Sequence, residues 1–131
     1  MTSKELNSRF NILVVDDNRD MLLITSSLLK ISGFRTQTCE SGPRCIAMTE
    51  AEVFDAVILD IEMSDMDGFA VCEHIRAQPW GKLLPIIAYT GHKEDIFQKY
   101  PGKSAFTRFL AKPATIEELS KAIHDAISAM K

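Results

Sequence analysis

A run of branched apolar residues that ends abruptly in a carboxylate constrains this chain more than any other feature. Val57-Ile58-Leu59 leads directly into Asp60, and an acid-rich turn continues to Asp67-Gly68. A continuous apolar run bounded by polar residues is typical of a strand buried on both faces, as in a parallel sheet covered by helices. Because ligands bind outside the carboxyl ends of the strands in such sheets, Asp60 is a candidate site residue.

The same kind of apolar run recurs along the chain and alternates with helical patterns. Strands are predicted over residues 10–15, 34–39, 55–60, 84–89 and 106–111. Helices are predicted to begin near residues 18, 41, 67, 93 and 115, and Thr115 and Glu118 have the spacing of a capping box. Since parallel strands need right-handed helical crossovers, the predicted fold is α/β, with a doubly wound, five-stranded parallel sheet and helices on both faces.

Composition and charge exclude several classes of protein. The 131 residues are 46% hydrophobic and 25% charged, so we expect a single domain over residues 1–131, with its core at about residues 10–130. A formal net charge of −3 gives no general reason for direct binding to nucleic acid, and no apolar stretch is long enough for membrane insertion. The chain start lacks a signal-peptide core, and Cys39, Cys45 and Cys72 show no CxxC spacing, so reduced thiols and a cytoplasmic location are expected.

The predicted strands end in side chains that can take part in chemistry. Asp16 and Asp17 follow the first strand, Asp60 the third, Thr90 the fourth and Lys112 the fifth. Each residue alone has a structural explanation, because acids can cap helices, threonine suits strands and lysine is a common surface cation. Since the carboxyl ends of parallel strands share one edge of the sheet, their coincidence at that edge favours a site.

Three clustered carboxylates imply a cation. At an effective dielectric of about 20, each close pair of carboxylates costs on the order of 4 kcal/mol, so the fold needs a bound cation or protons there. Oxygen ligands without His or Cys favour Mg²⁺, which accepts one or two carboxylates together with phosphate oxygens. With the ion bound, Asp60 stays ionised and can attack phosphorus, while Thr90 and Lys112 can bond the phosphoryl oxygens. The chemistry implied is phosphoryl transfer to a carboxylate.

Four segments resemble the receiver domain of bacterial two-component signalling, and together they span nearly the full length of the chain. They are residues 12–18 (ILVVDDN), 57–68 (VILDIEMSDMDG), 85–91 (PIIAYTG) and 109–113 (FLAKP). The resemblance implies a flavodoxin-like (βα)5 fold with strand order 2-1-3-4-5. It also implies that a sensor histidine kinase or a histidine phosphotransfer domain donates a phosphoryl group to this chain in a Mg²⁺-dependent reaction that switches its conformation.

The resemblance also implies roles for the acidic residues. Asp60 would be the phosphoacceptor and, together with Asp17, a direct Mg²⁺ ligand. The backbone carbonyl of Glu62 would be a third ligand, and Asp16 would act mainly through water.

Three further residues take roles from the same resemblance. Thr90 would move to the phosphoryl group, and Lys112 would pair with it. Phe109 lies where the family keeps an aromatic side chain that turns inward on activation, although phenylalanine lacks the hydroxyl of the commoner tyrosine. A cis peptide bond between Lys112 and Pro113 is also implied, and X–Pro bonds lose most of the trans preference.

The chain departs from the family pattern at several positions. Ser64 replaces the usual proline and is expected to loosen the turn after the phosphoacceptor. Pro101-Gly102 is expected to shorten the fourth helix, and Ala105-Phe106 replaces the usual Gly-Ala. The family's output mode is therefore not carried over to this chain. A homodimer and a downstream protein both remain candidate partners. Glu62 and His92 occupy variable positions, and we hypothesise that they set the lifetime of the phosphoryl group by controlling water access.

Three other functions are weighed against this one. A haloacid dehalogenase-type phosphatase would also form an aspartyl phosphate, but it needs a second acid two residues after the nucleophile of the first strand, where Asn18 follows Asp16. A flavodoxin-like cofactor binder needs a phosphate-binding loop after that strand, where the acids repel phosphate. A degenerate receiver would bind partners without phosphorylation, and the full set of acids, threonine and lysine argues against it.

Overall fold

The structure is a computed structural model that describes residues 1–91 and 105–130. The helices are α1 (Ser3–Asn7), α2 (Arg19–Ile31), α3 (Gly42–Ala51), α4 (Gly68–Arg76) and α5 (Ile116–Ala129), with a 3₁₀ turn at Pro79–Gly81. The strands are β1 (Asn11–Val15), β2 (Arg35–Cys39), β3 (Ala56–Leu59), β4 (Ile86–Thr90) and β5 (Arg108–Ala111). The helix predicted from residue 93 and the Pro101-Gly102 departure lie outside the described residues. Within the described part of the chain, no helix has the length and apolar character needed to cross a bilayer.

All five strands are parallel and follow the order β2-β1-β3-β4-β5, which confirms the predicted fold class and strand order. The register pairs Val15 at the end of β1 with Leu59 at the end of β3. The Asp60 amide donates to the Val15 carbonyl over 3.0 Å, which extends this pairing by one residue. The residues that follow β1 and β3 therefore emerge side by side at one edge of the sheet, although they are distant in sequence.

The core lies on both faces of the sheet because consecutive strand residues point to opposite sides. On β1, Leu13 and Val15 belong to one buried cluster and Ile12 and Val14 to the other. The first cluster includes buried residues of α3 and α4, and the second includes residues of α2 and α5. Helices thus cover both faces, as the apolar run of β3 predicted.

The helix starts predicted from capping residues are confirmed where the structure describes them. Asn18, Ser41 and Asp67 each accept a hydrogen bond from a backbone amide in the first turn of α2, α3 and α4. Thr115 and Glu118 form the reciprocal capping box of α5. After α2, Gly33 has a φ of 100°, a conformation in which glycine avoids a steric penalty.

Helix α1 was not predicted from the sequence. It begins with a capping box in which Thr2 and Glu5 bond each other's backbone amides, the same spacing as in α5. Asn7 ends the helix in a buried position, where its Nδ2 donates to the Ser32 carbonyl over 2.8 Å. Its Oδ1 lies 2.7 Å from Nε2 of His124 on α5. Asn7 therefore ties α1 to the end of α2 and to α5.

Candidate metal centre

Three aspartates meet at the carboxyl edge of the sheet, as predicted. One carboxylate oxygen from each of Asp16, Asp17 and Asp60 lies within 4.8 Å of the other two. Asp16 and Asp60 are buried, with exposed fractions of 3% and 8%, and Asp17 is the least buried of the three. The register of β1 and β3 explains the cluster, because it places the residues after the two strands next to each other.

Lys112 supplies a cation to two of these aspartates. Its Nζ lies 2.8 Å from Asp16 Oδ2 and 3.7 Å from Asp60 Oδ1, and only 15% of its side chain is exposed. The Lys112 amide donates to the Thr90 carbonyl over 2.8 Å, which continues the β4–β5 ladder to the site, and the peptide bond to Pro113 is cis, as implied. Lys112 Nζ also lies 5.4 Å from the centre of the Tyr89 ring, within cation–π range.

Backbone amides hold each of the three carboxylates. The bonds run from Asn18 N to Asp16 Oδ1 (3.0 Å), from Glu62 N to Asp60 Oδ1 (3.2 Å) and from Ser64 N to Asp17 Oδ2 (2.9 Å). Two of these bonds are local, whereas the Ser64 bond joins the loop after β3 to the loop after β1. Hydrogen bonds to ionised carboxylates are among the stronger ones in proteins, so these amides fix the orientation of the acids.

The surroundings of Asp60 bring the pKa of its carboxyl group close to neutral pH. Burial raises the pKa of Asp60 to about 6, the nearby Lys112 ammonium opposes that rise, and the Asp16 carboxylate adds to it. A group with that pKa is about nine-tenths ionised at pH 7. Asp60 is therefore a buried carboxylate that is mainly in its ionised form at neutral pH.

The structure describes three of the other candidate residues, which are Thr90, Phe109 and Glu62. Thr90 is fully buried and is the last residue of β4, at the same edge of the sheet. Phe109 lies on β5 among the residues on the α4 side, and its ring centre is 5.5 Å from that of Phe106. The Glu62 side chain is exposed while its amide reaches Asp60. His92 lies outside the described residues.

Gly68 shapes the loop between Asp60 and α4, a role that the sequence did not reveal beyond the start of a helix. Its amide donates to the Ile61 carbonyl over 2.8 Å. A Cβ at this position would lie 2.7 Å from Ile61 Cα and 2.8 Å from the Asp60 carbonyl oxygen. Real Cβ atoms essentially never approach other atoms this closely, so only glycine lets the loop close on α4 as it does.

The donor set fits a hard divalent cation. Among the described residues the cluster consists of three carboxylates, with no thiolate or imidazole in it, and two of the three acids are buried. Mg²⁺ favours such oxygen donors and keeps several waters, which the more exposed Asp17 side of the cluster can admit. Lys112 neutralises one of the three negative charges, so the cluster retains an excess of negative charge that a cation would balance.

Comparison with known proteins gives one consistent result. The family described as Response regulator receiver domain matches residues 12–124. The signal transduction histidine-protein kinase BarA of Escherichia coli strain K12 is 32% identical over 108 residues, which cover 82% of this chain and 12% of the kinase. The chain thus spans about an eighth of the length of that relative.

Two solved structures with higher coverage share the fold. The receiver domain of a sensor histidine kinase from Pseudomonas aeruginosa PAO1, with a magnesium ion coordinated in its active site cleft, is 27% identical with a TM-score of 0.85, covering 91% of this chain and 98% of that one. The response regulator TrrA from Thermotoga maritima, in complex with Mg²⁺ and BeF, is 26% identical with a TM-score of 0.79, covering 89% and 98% of the respective chains.

Proposed function

Because the chain belongs to the response regulator receiver domain family, we propose that Asp60 accepts a phosphoryl group from a phosphohistidine donor in a Mg²⁺-dependent reaction. The observation that supports this most directly is the position of Asp60, which lies close to two further carboxylates and to the Lys112 ammonium. The donor would be a sensor histidine kinase or a histidine phosphotransfer domain, acting in the cytoplasm. In this proposal the chain works as one receiver domain, and it promotes its own phosphorylation and dephosphorylation rather than turning over an external substrate.

Each residue of the cluster has a distinct part in the proposed reaction. An Asp60 oxygen forms a bond to phosphorus while the phosphorus–nitrogen bond of the donor breaks, and its electron pair leaves with the donor imidazole. Lys112 is close enough to neutralise charge that develops on the phosphoryl oxygens. Asp17, Asp60 and the Glu62 carbonyl would hold Mg²⁺ directly, with Asp16 acting through water. The ion would neutralise the negative charge of the transferred group.

The proposed output is a shift between two conformations. The acyl phosphate carries nearly two negative charges where the Asp60 carboxylate carried one, and these charges favour a state in which Thr90 and Lys112 bond the phosphoryl oxygens and Phe109 turns inward. A preference of about a hundredfold for that state corresponds to about 2.7 kcal/mol, enough to repack a helix face.

Incubation with acetyl phosphate and Mg²⁺, followed by intact-mass measurement, tests this function. The wild-type chain is expected to gain the mass of one phosphoryl group, because a small acyl phosphate can replace the protein donor. The Asp60→Asn variant and a wild-type sample with the metal chelated should gain none, since the first lacks the nucleophile and the second the ion. An unmodified wild-type chain, or a labelled Asp60→Asn variant, would refute the proposal.

We further propose that Glu62 and His92 control how long the phosphoryl group persists. The exposed Glu62 side chain follows the site by two residues, so it can order or exclude the water that hydrolyses the phosphoryl group. The expected result is that Glu62→Ala and His92→Ala each change the dephosphorylation rate after the donor is removed. Lys121→Ala, on the exposed surface of α5, serves as the control. Unchanged rates in both site variants would contradict the hypothesis.

A further inference from the structure

We propose that Ser64 is a positioning residue whose backbone amide fixes the Asp17 carboxylate for Mg²⁺; this inference rests on the metal site proposed above. The Ser64 amide donates to Asp17 Oδ2 over 2.9 Å, across 47 residues of sequence. It is therefore a tertiary link between the loop that carries Asp60 and the loop that carries Asp17.

Asp17 depends on this bond more than its two neighbours depend on theirs. Lys112 lies close to Asp16 and Asp60, and both of those side chains are buried. Within residues 1–91 and 105–130, the Ser64 amide is the only group that donates a hydrogen bond to the Asp17 carboxylate. The charges of Asp16 and Asp60 repel Asp17 toward solvent, and the Ser64 amide opposes that movement.

The geometry of a carboxylate lets Asp17 use this bond and a metal at the same time. Each carboxylate has two oxygens and about four lone-pair positions, and the Ser64 amide occupies one position on Oδ2. With respect to the residues that the structure describes, the other oxygen positions are available to a cation. A residue that hydrogen-bonds to a metal-ligating side chain orients that ligand. Loss of such a residue typically weakens metal binding by about 10-fold to 100-fold.

The identity of residue 64 decides whether the link exists. The donor is the backbone N–H, so the exposed serine hydroxyl takes no part in the bond. The proline that usually stands at this position in receiver domains has no N–H and cannot form it. Ser64 was expected to loosen the turn, but the structure shows that its amide also fastens the turn to Asp17.

Two substitutions at this one position separate the amide from the side chain. Ser64→Pro removes the N–H, and Ser64→Ala keeps it while removing the hydroxyl. In calorimetric titrations with MgCl₂, we expect Ser64→Pro to weaken Mg²⁺ binding about tenfold, and Ser64→Ala to stay within about twofold of wild type. Equal affinities in the wild type and Ser64→Pro, or equal losses in both variants, would overturn the inference.

A spectroscopic measurement gives an independent readout. If the Ser64 bond favours Mg²⁺ binding, then Mg²⁺ must favour the bond to the same extent, because the coupling between two equilibria is reciprocal. The Ser64 amide of the wild-type chain is therefore expected to exchange more slowly with solvent deuterium when Mg²⁺ is added. Exchange that does not slow would count against the proposal.

Two further comparisons distinguish loss of the Ser64 hydrogen bond from loss of folding and from the absence of a metal site. If Ser64→Pro lowers the thermal midpoint, a backbone ester at Ser64 removes the same N–H without the proline ring, and it must show the same weakening of Mg²⁺ binding. A wild-type chain that takes up no Mg²⁺ would refute the proposed metal site itself. A wild type and a Ser64→Pro variant that bind equally would refute the role of Ser64 alone.

Discussion

Replacing Lys112 with alanine is expected to slow the phosphorylation of Asp60 by about 100-fold to 1000-fold, the usual loss when one donor to a developing oxyanion is removed. Lys112 Nζ lies 3.7 Å from Asp60 Oδ1 in a nearly buried setting, so water cannot substitute fully for its charge. Because the same ammonium lies 2.8 Å from Asp16, it also competes with a cation for the acids. Mg²⁺ affinity should therefore be retained or increased in Lys112→Ala, even though transfer is slow.

The measurement is the initial rate of phosphoryl-mass gain with acetyl phosphate at saturating Mg²⁺. Lys112 opposes the rise in the pKa of Asp60, so removing the Lys112 ammonium favours the protonated form of that carboxyl group. The rates are therefore measured at a pH of about 8, at which Asp60 stays ionised. Lys121→Ala is a matched control, because this exposed lysine pairs with Asp125 on the surface of α5. Wild-type rates in Lys112→Ala, or equal slowing in both variants, would show that Lys112 has no direct part in transfer.

Replacing Gly68 with alanine is expected to destabilise the fold by about 1–3 kcal/mol, the usual cost of forcing an extra carbon into a packed region. The new Cβ would meet the backbone of Ile61 and the Asp60 carbonyl at less than van der Waals separation. Since backbone atoms cannot rotate away, the loop must shift, and Asp60 shifts with it. We therefore expect weaker Mg²⁺ binding together with a lower thermal midpoint.

Thermal unfolding and Mg²⁺ titration of the same samples check this expectation. Gly91→Ala provides the stability control, because a Cβ at Gly91 would have no atom of residues 1–91 or 105–130 within 4 Å. A Gly68→Ala variant with the wild-type midpoint would mean that the loop accommodates a methyl group, contrary to the geometry. A lowered midpoint in Gly91→Ala would mean that the effect does not arise from the close approach at Gly68.

The fold could be predicted largely because its local signals agree with one another. The apolar run of β3 could be buried only in a sheet covered on both sides, and side-chain caps such as Asn18 and Asp67 marked the helix starts. The strand order came from the resemblance to receiver domains rather than from periodicity. Helix α1 was missed, although Thr2 and Glu5 have capping-box spacing, because so short a helix depends on tertiary contacts such as those of Asn7.

The sequence predicted which side chains meet at the site, but it did not predict the backbone contacts of the loops around them. Parallel strands bring their carboxyl ends to one edge, so the convergence of Asp16, Asp17 and Asp60 followed from the fold. The amide of Ser64 and the close approach at Gly68 depend on loop conformation, which leaves no periodic pattern in the sequence. The resemblance marked Ser64 as a departure that loosens the turn, and it gave no indication that the Ser64 amide bonds Asp17.

The side-chain contacts of Asn7 determine how far this chain can be truncated for experiments. A fragment cut at the limits of the family match, residues 12–124, would discard α1 and the last turn of α5, including the buried Ala126. The Ser32 carbonyl and the His124 ring would both lose their amide partner. Stabilising contacts thus extend beyond residues 12–124, so samples for crystallisation or calorimetry should keep both flanks.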